Sequence, residues 1–377
     1  MYNGIKIIDG HVHPSESFGG GDIAAFFAAH SPMTDAVSLC TVAHSRFLSL
    51  TPSALAAKAM HPESTFVFSA LDMSEYYLHP DTLGARMVEC GERLIAMGCD
   101  GIKMLEGKPQ MRKMHPIPDF DAPVWDAFWA WAERKQVPIL MHVNDPENFW
   151  DAANAPAFAV QQGWLYDESY VNNEAQYAQM LAVLARHPRL CVSFAHFFFM
   201  SAQLDRLAAI LDEYENVRVD LTPGIEMYEN FSRDIDAARA FFARYRRRII
   251  YGTDIGGRCV LMGEGRAFDT AENTRRGEIV RCFLAGTEPC EIASDGHFLV
   301  NRPAFTLRPL ALGADALADI LSGNFERFVG TAPRAVDAAA VRRECALLRR
   351  EMAALCAAVP SFVGDAAQIE LAEKFFA

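Results

Sequence analysis

Four apolar runs, spread over most of the chain, each close on a side chain that can bind a metal. They are Ile7-Ile8-Asp9-Gly10-His11-Val12-His13, Pro138-Ile139-Leu140-Met141-His142, Val192-Ser193-Phe194-Ala195-His196 and Ile249-Ile250-Tyr251-Gly252-Thr253-Asp254. Short continuous runs of Ile, Val, Leu and Phe read as strands buried on both faces. Successive side chains of a strand point to opposite faces, so His11 and His13 share one face while Val12 takes the other. Two imidazoles converging at a strand end suit one divalent metal. Parallel strands that deliver such groups at their C-terminal ends bring them to one barrel mouth.

Eight strand-like runs are expected: Ile5 to Ile8, Ala36 to Val42, Thr65 to Leu71, Gly101 to Leu105, Pro138 to Val143, Leu190 to Ala195, Val217 to Leu221 and Ile249 to Tyr251. Helical patterns fill the gaps. Thr82 to Met97 carries an apolar stripe that ends at Gly98, a natural helix stop. Ala122 to Arg134, Glu174 to Arg186, Ala202 to Tyr214 and Ile235 to Tyr245 follow. Strand–helix alternation of this kind predicts an α/β fold, a (β/α)8 TIM barrel. A doubly wound open sheet is the alternative, but no G-x-G-x-x-G follows the first strand. The longest insertion, Asn144 to Val171, holds Pro146, Trp150, Pro156, Trp164 and Tyr166 and reads as a lid or binding loop. Asp337 to Val359 reads as a long helix beyond the eighth unit. We therefore expect a barrel domain over residues 1–332 and a C-terminal helical extension over 333–377, packed on the barrel or on a second subunit.

The sequence has 48 acidic and 35 basic side chains, a formal charge of −13. Such a surface repels phosphate backbones and argues against nucleic acid as a partner. The basic cluster Arg244 to Arg248 reads as a solvated helix end. The 9 cysteines are scattered with no C-x-x-C pair, which argues for free thiols in a reducing compartment. The N-terminus enters a strand without a signal-peptide pattern, and no apolar run approaches the roughly 20 residues of a membrane span. A soluble cytoplasmic protein with a small-molecule substrate is the expectation, and a homo-oligomer is an open possibility.

Catalytic zinc commonly takes three protein ligands and keeps one position for water. His11, His13 and His142 supply three nitrogens for such a site and Asp254 an oxygen. The metal would lower the pKa of bound water towards about 7, with Asp254 accepting its proton and His196 polarising a substrate oxygen or shuttling a proton. Each residue alone has a plainer reading: a lone strand histidine is more often a satisfied core group, and Asp254 could cap a helix. The joint placement of all five at strand ends favours the site. His61, His79, His115 and His187, like His30 and His44, lie in loops or helices and read as structural. Lys103, in Gly101-Ile102-Lys103-Met104, ends the fourth strand. It reads as a carboxylated bridge between two metals (with His142 and His196 on the second ion), as a cationic substrate contact, or as a lysine snorkelling to the rim.

Together, Asp9-Gly10-His11-Val12-His13-Pro14, Gly101-Ile102-Lys103-Met104, Met141-His142-Val143, Phe194-Ala195-His196 and Tyr251-Gly252-Thr253-Asp254 resemble the amidohydrolase superfamily, in its amidohydrolase-related branch. Gly323-Asn324-Phe325-Glu326-Arg327-Phe328-Val329-Gly330 resembles the closing helix of that family, so the likeness runs over roughly residues 5 to 330. The resemblance implies a TIM-barrel metal-dependent hydrolase or lyase, with His11, His13, His142 and Asp254 as ligands of one metal and His196 as the catalytic histidine. One departure stands out. The family often has small residues after the strand-six histidine, whereas this chain has Phe197-Phe198-Phe199, which predicts a narrower, more apolar mouth.

The first functional expectation is hydrolysis of an amide, ester or lactone by metal-bound hydroxide. The second is non-oxidative decarboxylation of an aromatic or unsaturated acid, with Arg46 or Arg258 meeting the substrate carboxylate. The segment Asp220 to Glu226, after the seventh strand, is a further candidate rim loop, in which Glu226 reads either as a substrate contact or as an exposed carboxylate. The third is a catalytically silent barrel used for binding. Zinc suits a histidine-rich set with one carboxylate, and Mn2+ or Fe2+ are alternatives.

Overall fold

The computed structural model describes residues 4–14, 26–27, 32–42, 48–224, 226–256, 270–293 and 304–377. Arg46 and Arg258 lie outside the described residues, as do His30, His44 and His297.

Eight parallel strands follow one another in sequence order: β1 (Ile8–Val12), β2 (Ala36–Cys40), β3 (Thr65–Ala70), β4 (Gly101–Gly107), β5 (Ile139–Val143), β6 (Val192–Phe194), β7 (Val217–Asp220) and β8 (Ile249–Ile250). Their residues are almost all buried, as strands covered on both faces must be. The outer layer is α1 (Thr51–Met60), α2 (Leu83–Met97), α3 (Asp126–Lys135), α4 (Asn173–Arg186), α5 (Leu204–Glu213), α6 (Ile235–Tyr245) and α7 (Thr270–Ala285), one after each strand from β2 to β8. The architecture is the expected TIM barrel, with helices at its C-terminal end.

The seam of the barrel is irregular. β8 pairs for only two residues. The chain beyond it then meets β1 through single backbone bonds: Gly10 N donates to Tyr251 O (2.9 Å), Asp254 N to His11 O (2.9 Å) and His13 N to Ile255 O (2.7 Å). β1 begins at Ile8, where its pairing with β2 starts at Ala36, and carries His11 inside the strand rather than after it. Gly256 turns the chain away with φ +81°, and a Cβ there would lie 2.0 Å from His13 O, so only glycine fits.

Apolar side chains pack in two shells of the barrel and a small separate cluster, Phe149, Ala159, Trp164 and Tyr166, in the insertion after β5. Ile8, Ala36, Phe66, Leu140 and Ile250 fill the barrel from inside and meet Phe325 and Phe328 of the short helix Asn324–Val329. Asn324 Nδ2 donates to Arg246 O (2.7 Å) and Ile249 O (2.5 Å), which ties that helix to the start of β8. The larger shell lies between strands and helices and includes the α2 stripe Leu83, Met87, Cys90, Leu94 and Met97. α2 ends at Gly98 in a left-handed conformation, φ +106°. Beyond the barrel, α8 (Ala338–Ala358) starts at Asp337, whose side chain accepts from Ala340 N, and packs on α2. It is followed by α9 (Ala367–Phe375), which packs on α1.

The basic cluster is less solvated than its charge suggests. Arg248 donates to Val217 O (2.6 Å) and to Tyr214 O, and Arg244 pairs with Asp212 at 2.7 Å. The eight described cysteines are free. Among the described residues, no helix is long and apolar enough to cross a membrane.

Candidate active site

His11 and His13 leave β1 on one face, as strand alternation requires, and both are buried. Asp254 meets them from the segment after β8. Its backbone is left-handed, φ 57°. A clamp from the start of the H-x-H motif sets that turn: Asp9 Oδ2 accepts from Thr253 Oγ1 (2.6 Å) and Oδ1 from Thr253 N (3.1 Å). One ligand atom each from His11, His13 and Asp254 lie within 4.8 Å of one another. Among the described residues this is the one such group of metal-competent side chains.

The hydrogen bonds around the trio select which nitrogens it presents. His11 Nδ1 lies 2.8 Å from Asp220 Oδ2 and 3.0 Å from Thr222 Oγ1. His13 Nδ1 donates to Cys40 O at 2.8 Å. A neutral imidazole with Nδ1–H engaged has its lone pair on Nε2, the form that binds metals. The two Nε2 atoms face each other at 3.1 Å, and Asp254 Oδ1 lies 3.3 Å from His13 Nε2. Burial, reinforced by Lys103 and His13, holds the His11 imidazole far below its ordinary pKa, so it stays neutral. Burial works against the Asp254 carboxylate, but the Arg276 guanidinium at 3.1 Å opposes it, and the carboxyl is held well below its ordinary value and stays ionised. Two imidazoles and a fixed carboxylate form the donor set that a borderline-soft divalent ion such as Zn2+ takes. The residues fit the metal the sequence implies.

His142 and His196 line the same cavity without joining the trio. Their rings are 5.0 Å apart, and His196 is 5.8 Å from His11. His196 N donates to Asp220 Oδ1 (2.8 Å) and Nδ1 to Thr222 O (3.2 Å), so its Nε2 is also the free nitrogen. Burial, then the neighbouring His142, lowers its pKa to about 3. His142 differs: its Nε2 faces Asp145 Oδ1 at 3.3 Å.

Lys103 does not snorkel to the rim. It is 1% exposed, and its Nζ lies 3.1 Å from His11 Nε2. Among the described residues, no carboxylate stands within ion-pair distance of it. Burial lowers its pKa. Glu226, the other candidate contact, is absent from the cavity lining and faces a neighbouring cleft with Glu147 and Glu229. Burial pushes it up to about 7.

The cavity is about 70 Å³, and Val42, Leu105, Pro146, Phe149, Trp164, Phe199 and Pro223 form its apolar walls. Only one of the three phenylalanines after His196 narrows this mouth. Phe199 stacks at 5.0 Å on His196, whereas Phe197 packs on Phe231 and Phe242 and Phe198 stacks on Phe194. The reason is the backbone: His196 to Phe199 all have φ between 52° and 58°, a left-handed turn that sends successive side chains in different directions. Six of the eight described non-glycine residues with positive φ (Asn144, the four of this turn, and Asp254) stand at the ends of β5, β6 and β8. Strained backbone of this kind concentrates at functional sites.

The sequence assigned no role to Asp9, Arg276, Asp145 or Lys108, and marked Asp220 only as the start of a rim loop. Asp220 closes the run Val217-Arg218-Val219 and carries the same strand-end signal as the histidines. Arg276, fully buried on α7, carries none. The remaining described histidines have structural partners: His61 lies on Phe27, His79 near Glu75, His115 against Tyr77 and His187 against Glu133.

Comparison with solved structures finds a TIM-barrel protein from Bordetella bronchiseptica at TM-score 0.53 and 12% identity, over 87% of this chain and 99% of that one. An amidohydrolase from Staphylococcus aureus gives TM-score 0.52 at 13% identity, over 86% and 100% of the two chains. An amidohydrolase II structure gives 0.51 at 11%, over 86% and 99%. At such identities these likenesses speak for the fold alone. No curated protein matches the sequence. The amidohydrolase family model matches residues 85–331, well over half of the chain and including His142, His196 and Asp254. On that match, carried by a barrel that adds His11 and His13 to the same mouth, the chain belongs to the amidohydrolase family.

Proposed function

We propose that this protein is a hydrolase that uses one divalent ion, most simply Zn2+, to cleave an amide, ester or lactone of a small organic substrate. The observation that carries the reading is the convergence of His11, His13 and Asp254 with both outer imidazole nitrogens already engaged. These three would hold the ion, with His142 the next donor along the rim. When bound, the ion supplies Lewis acidity, polarising a carbonyl oxygen and lowering the pKa of a water. Asp254, held ionised beside Arg276, accepts a proton at its carboxylate. His196, neutral with Nε2 free, takes or returns a proton at the leaving atom. The aromatic walls exclude water and strengthen each of these interactions.

A second reading, non-oxidative decarboxylation of an aromatic or unsaturated acid, is favoured by the charge of the cavity. Lys103 and Lys108 both line it, and Lys103 lacks a carboxylate partner among the described residues. A bound divalent ion makes the interior more positive still, which a substrate carboxylate would offset.

Elemental analysis and a substrate screen test both readings. We expect about one equivalent of metal, loss of activity with chelator, and turnover of an ester, amide or lactone. Carbon dioxide release from carboxylated aromatics, with no hydrolysis, would favour the lyase. Absence of stoichiometric metal would sink both and leave a binding barrel. His11→Ala should lose most of its metal. Asp254→Asn should retain more metal than His11→Ala and still lose turnover, because an amide cannot accept the proton.

A further inference from the structure

Three of the four cavity histidines are fixed through Nδ1, and His142 is the exception. The chain after β5 explains it. Asn144 is left-handed, φ 74°, with its N–H donating to Gly107 O (2.9 Å) and its side chain held by Gln176 (2.8 Å). The turn folds Asp145 back onto His142. The Asp145 carboxylate, 4% exposed, then takes three donors: His142 Nε2 at 3.3 Å, Lys108 Nζ at 2.6 Å and Tyr166 Oη at 2.5 Å. Lys108 lies 3.9 Å from the centre of the Trp164 ring, and Trp164 Nε1 donates to Gln110 Oε1 at 2.8 Å. Tyr166 N donates to Phe149 O at 2.8 Å. One carboxylate thus joins a histidine of the inner site to the outer wall, which is built from the Asn144 to Val171 insertion.

We propose that Asp145 is a positioning residue that holds His142 as its Nε2–H tautomer and ties its orientation to the assembly of the insertion. An ionised carboxylate only accepts, so His142 must donate through Nε2, and its lone pair is left on Nδ1. Lys108 and Tyr166 satisfy the other carboxylate oxygen, so Asp145 is not free to turn away. In consequence, His142 presents a different nitrogen from His11, His13 and His196, and does so only while the wall is folded. The geometric claim stands on the described hydrogen bonds; its catalytic consequence rests on the cavity being the active site.

The two are separable by experiment. Nitrogen-15 NMR of histidine-labelled, metal-free full-length protein reads the tautomer without any substrate. We expect His142 of the wild type to be protonated on Nε2 and bare on Nδ1. Asp145→Asn, whose amide oxygen still accepts, should keep that signature, and Asp145→Ala should lose it. A wild-type His142 protonated on Nδ1, or an unchanged tautomer in Asp145→Ala, would overturn the proposal. The wild-type measurement decides even if a variant fails to fold. On any substrate the screen finds, Asp145→Ala should lower kcat by roughly 10–100-fold, the range for removing a carboxylate behind an active-site histidine, with Asp145→Asn closer to wild type. An intact tautomer signature with no turnover of any substrate would count against the proposed reaction and leave the positioning role standing.

Discussion

Asp220 serves two histidines at once. Its Oδ2 faces His11 Nδ1 and its Oδ1 accepts from His196 N, so one buried carboxylate orients an imidazole of the candidate metal group and the turn beside it. Asp220→Ala should therefore weaken divalent-metal affinity by about 10–100-fold while His11 itself remains; titration of the metal-free variant checks this, and unchanged affinity would remove Asp220 from the site. Lys103 is the opposite case, a buried cation without a carboxylate partner among the described residues. Lys103→Met should raise stability by about 1–3 kcal/mol, the cost of a poorly compensated buried polar group, while activity falls. Denaturant midpoints and a turnover assay on the same variant read both effects. The H-x-H pair and Asp254 were legible because strand alternation and strand ends are local properties. The hydrogen-bond partners were not: Asp220 lies 209 residues from His11, and nothing local marks the pairing.

At the scale of elements, the left-handed turn after β6 decides what the phenylalanines do. The sequence suggested three apolar side chains crowding the mouth, and the turn sends two of them into the core. Phe197→Ala should cost about 3–5 kcal/mol, because it empties a fully buried aromatic stack and keeps the strained φ. Phe199→Gly should cost less, since glycine relieves roughly 1 kcal/mol of left-handed strain and Phe199 borders the cavity as well as His142 and His196. The glycine variant should also widen the cavity and accept bulkier substrates. Thermal melts and a substrate-size series separate the two variants. The insertion stood out in the sequence by its length and aromatic content, and part of it lines the cavity. Its anchoring through Asp145 did not stand out, because a single carboxylate after a strand looks the same whether it faces solvent or a histidine.

Across the whole molecule, α8 brings a buried carboxyl up against one from the barrel. Asp72 Oδ2, in the loop after β3, and Glu351 Oε2, on α8, are both buried without a donor among the described residues. Burial and the facing Asp72 push Glu351 up to about 10; Glu75 adds to this and Arg93 opposes it. A carboxyl raised above its ordinary value of 4.5 contributes stability that is fully present below that value and lost as pH climbs towards 10. The melting temperature should therefore fall from pH 6 to pH 9, and Glu351→Gln should flatten the fall; an unchanged slope would show that the pair does not titrate in this range. By itself, the sequence determined the barrel and the convergence of His11, His13 and Asp254 on one mouth, because hydrophobic periodicity and βα alternation are written in neighbouring residues. Only the tertiary structure decided which nitrogen each histidine presents and which cations stand paired. Those outcomes depend on contacts made when β1 closes against the segment after β8, between residues too far apart in the chain to leave a local pattern.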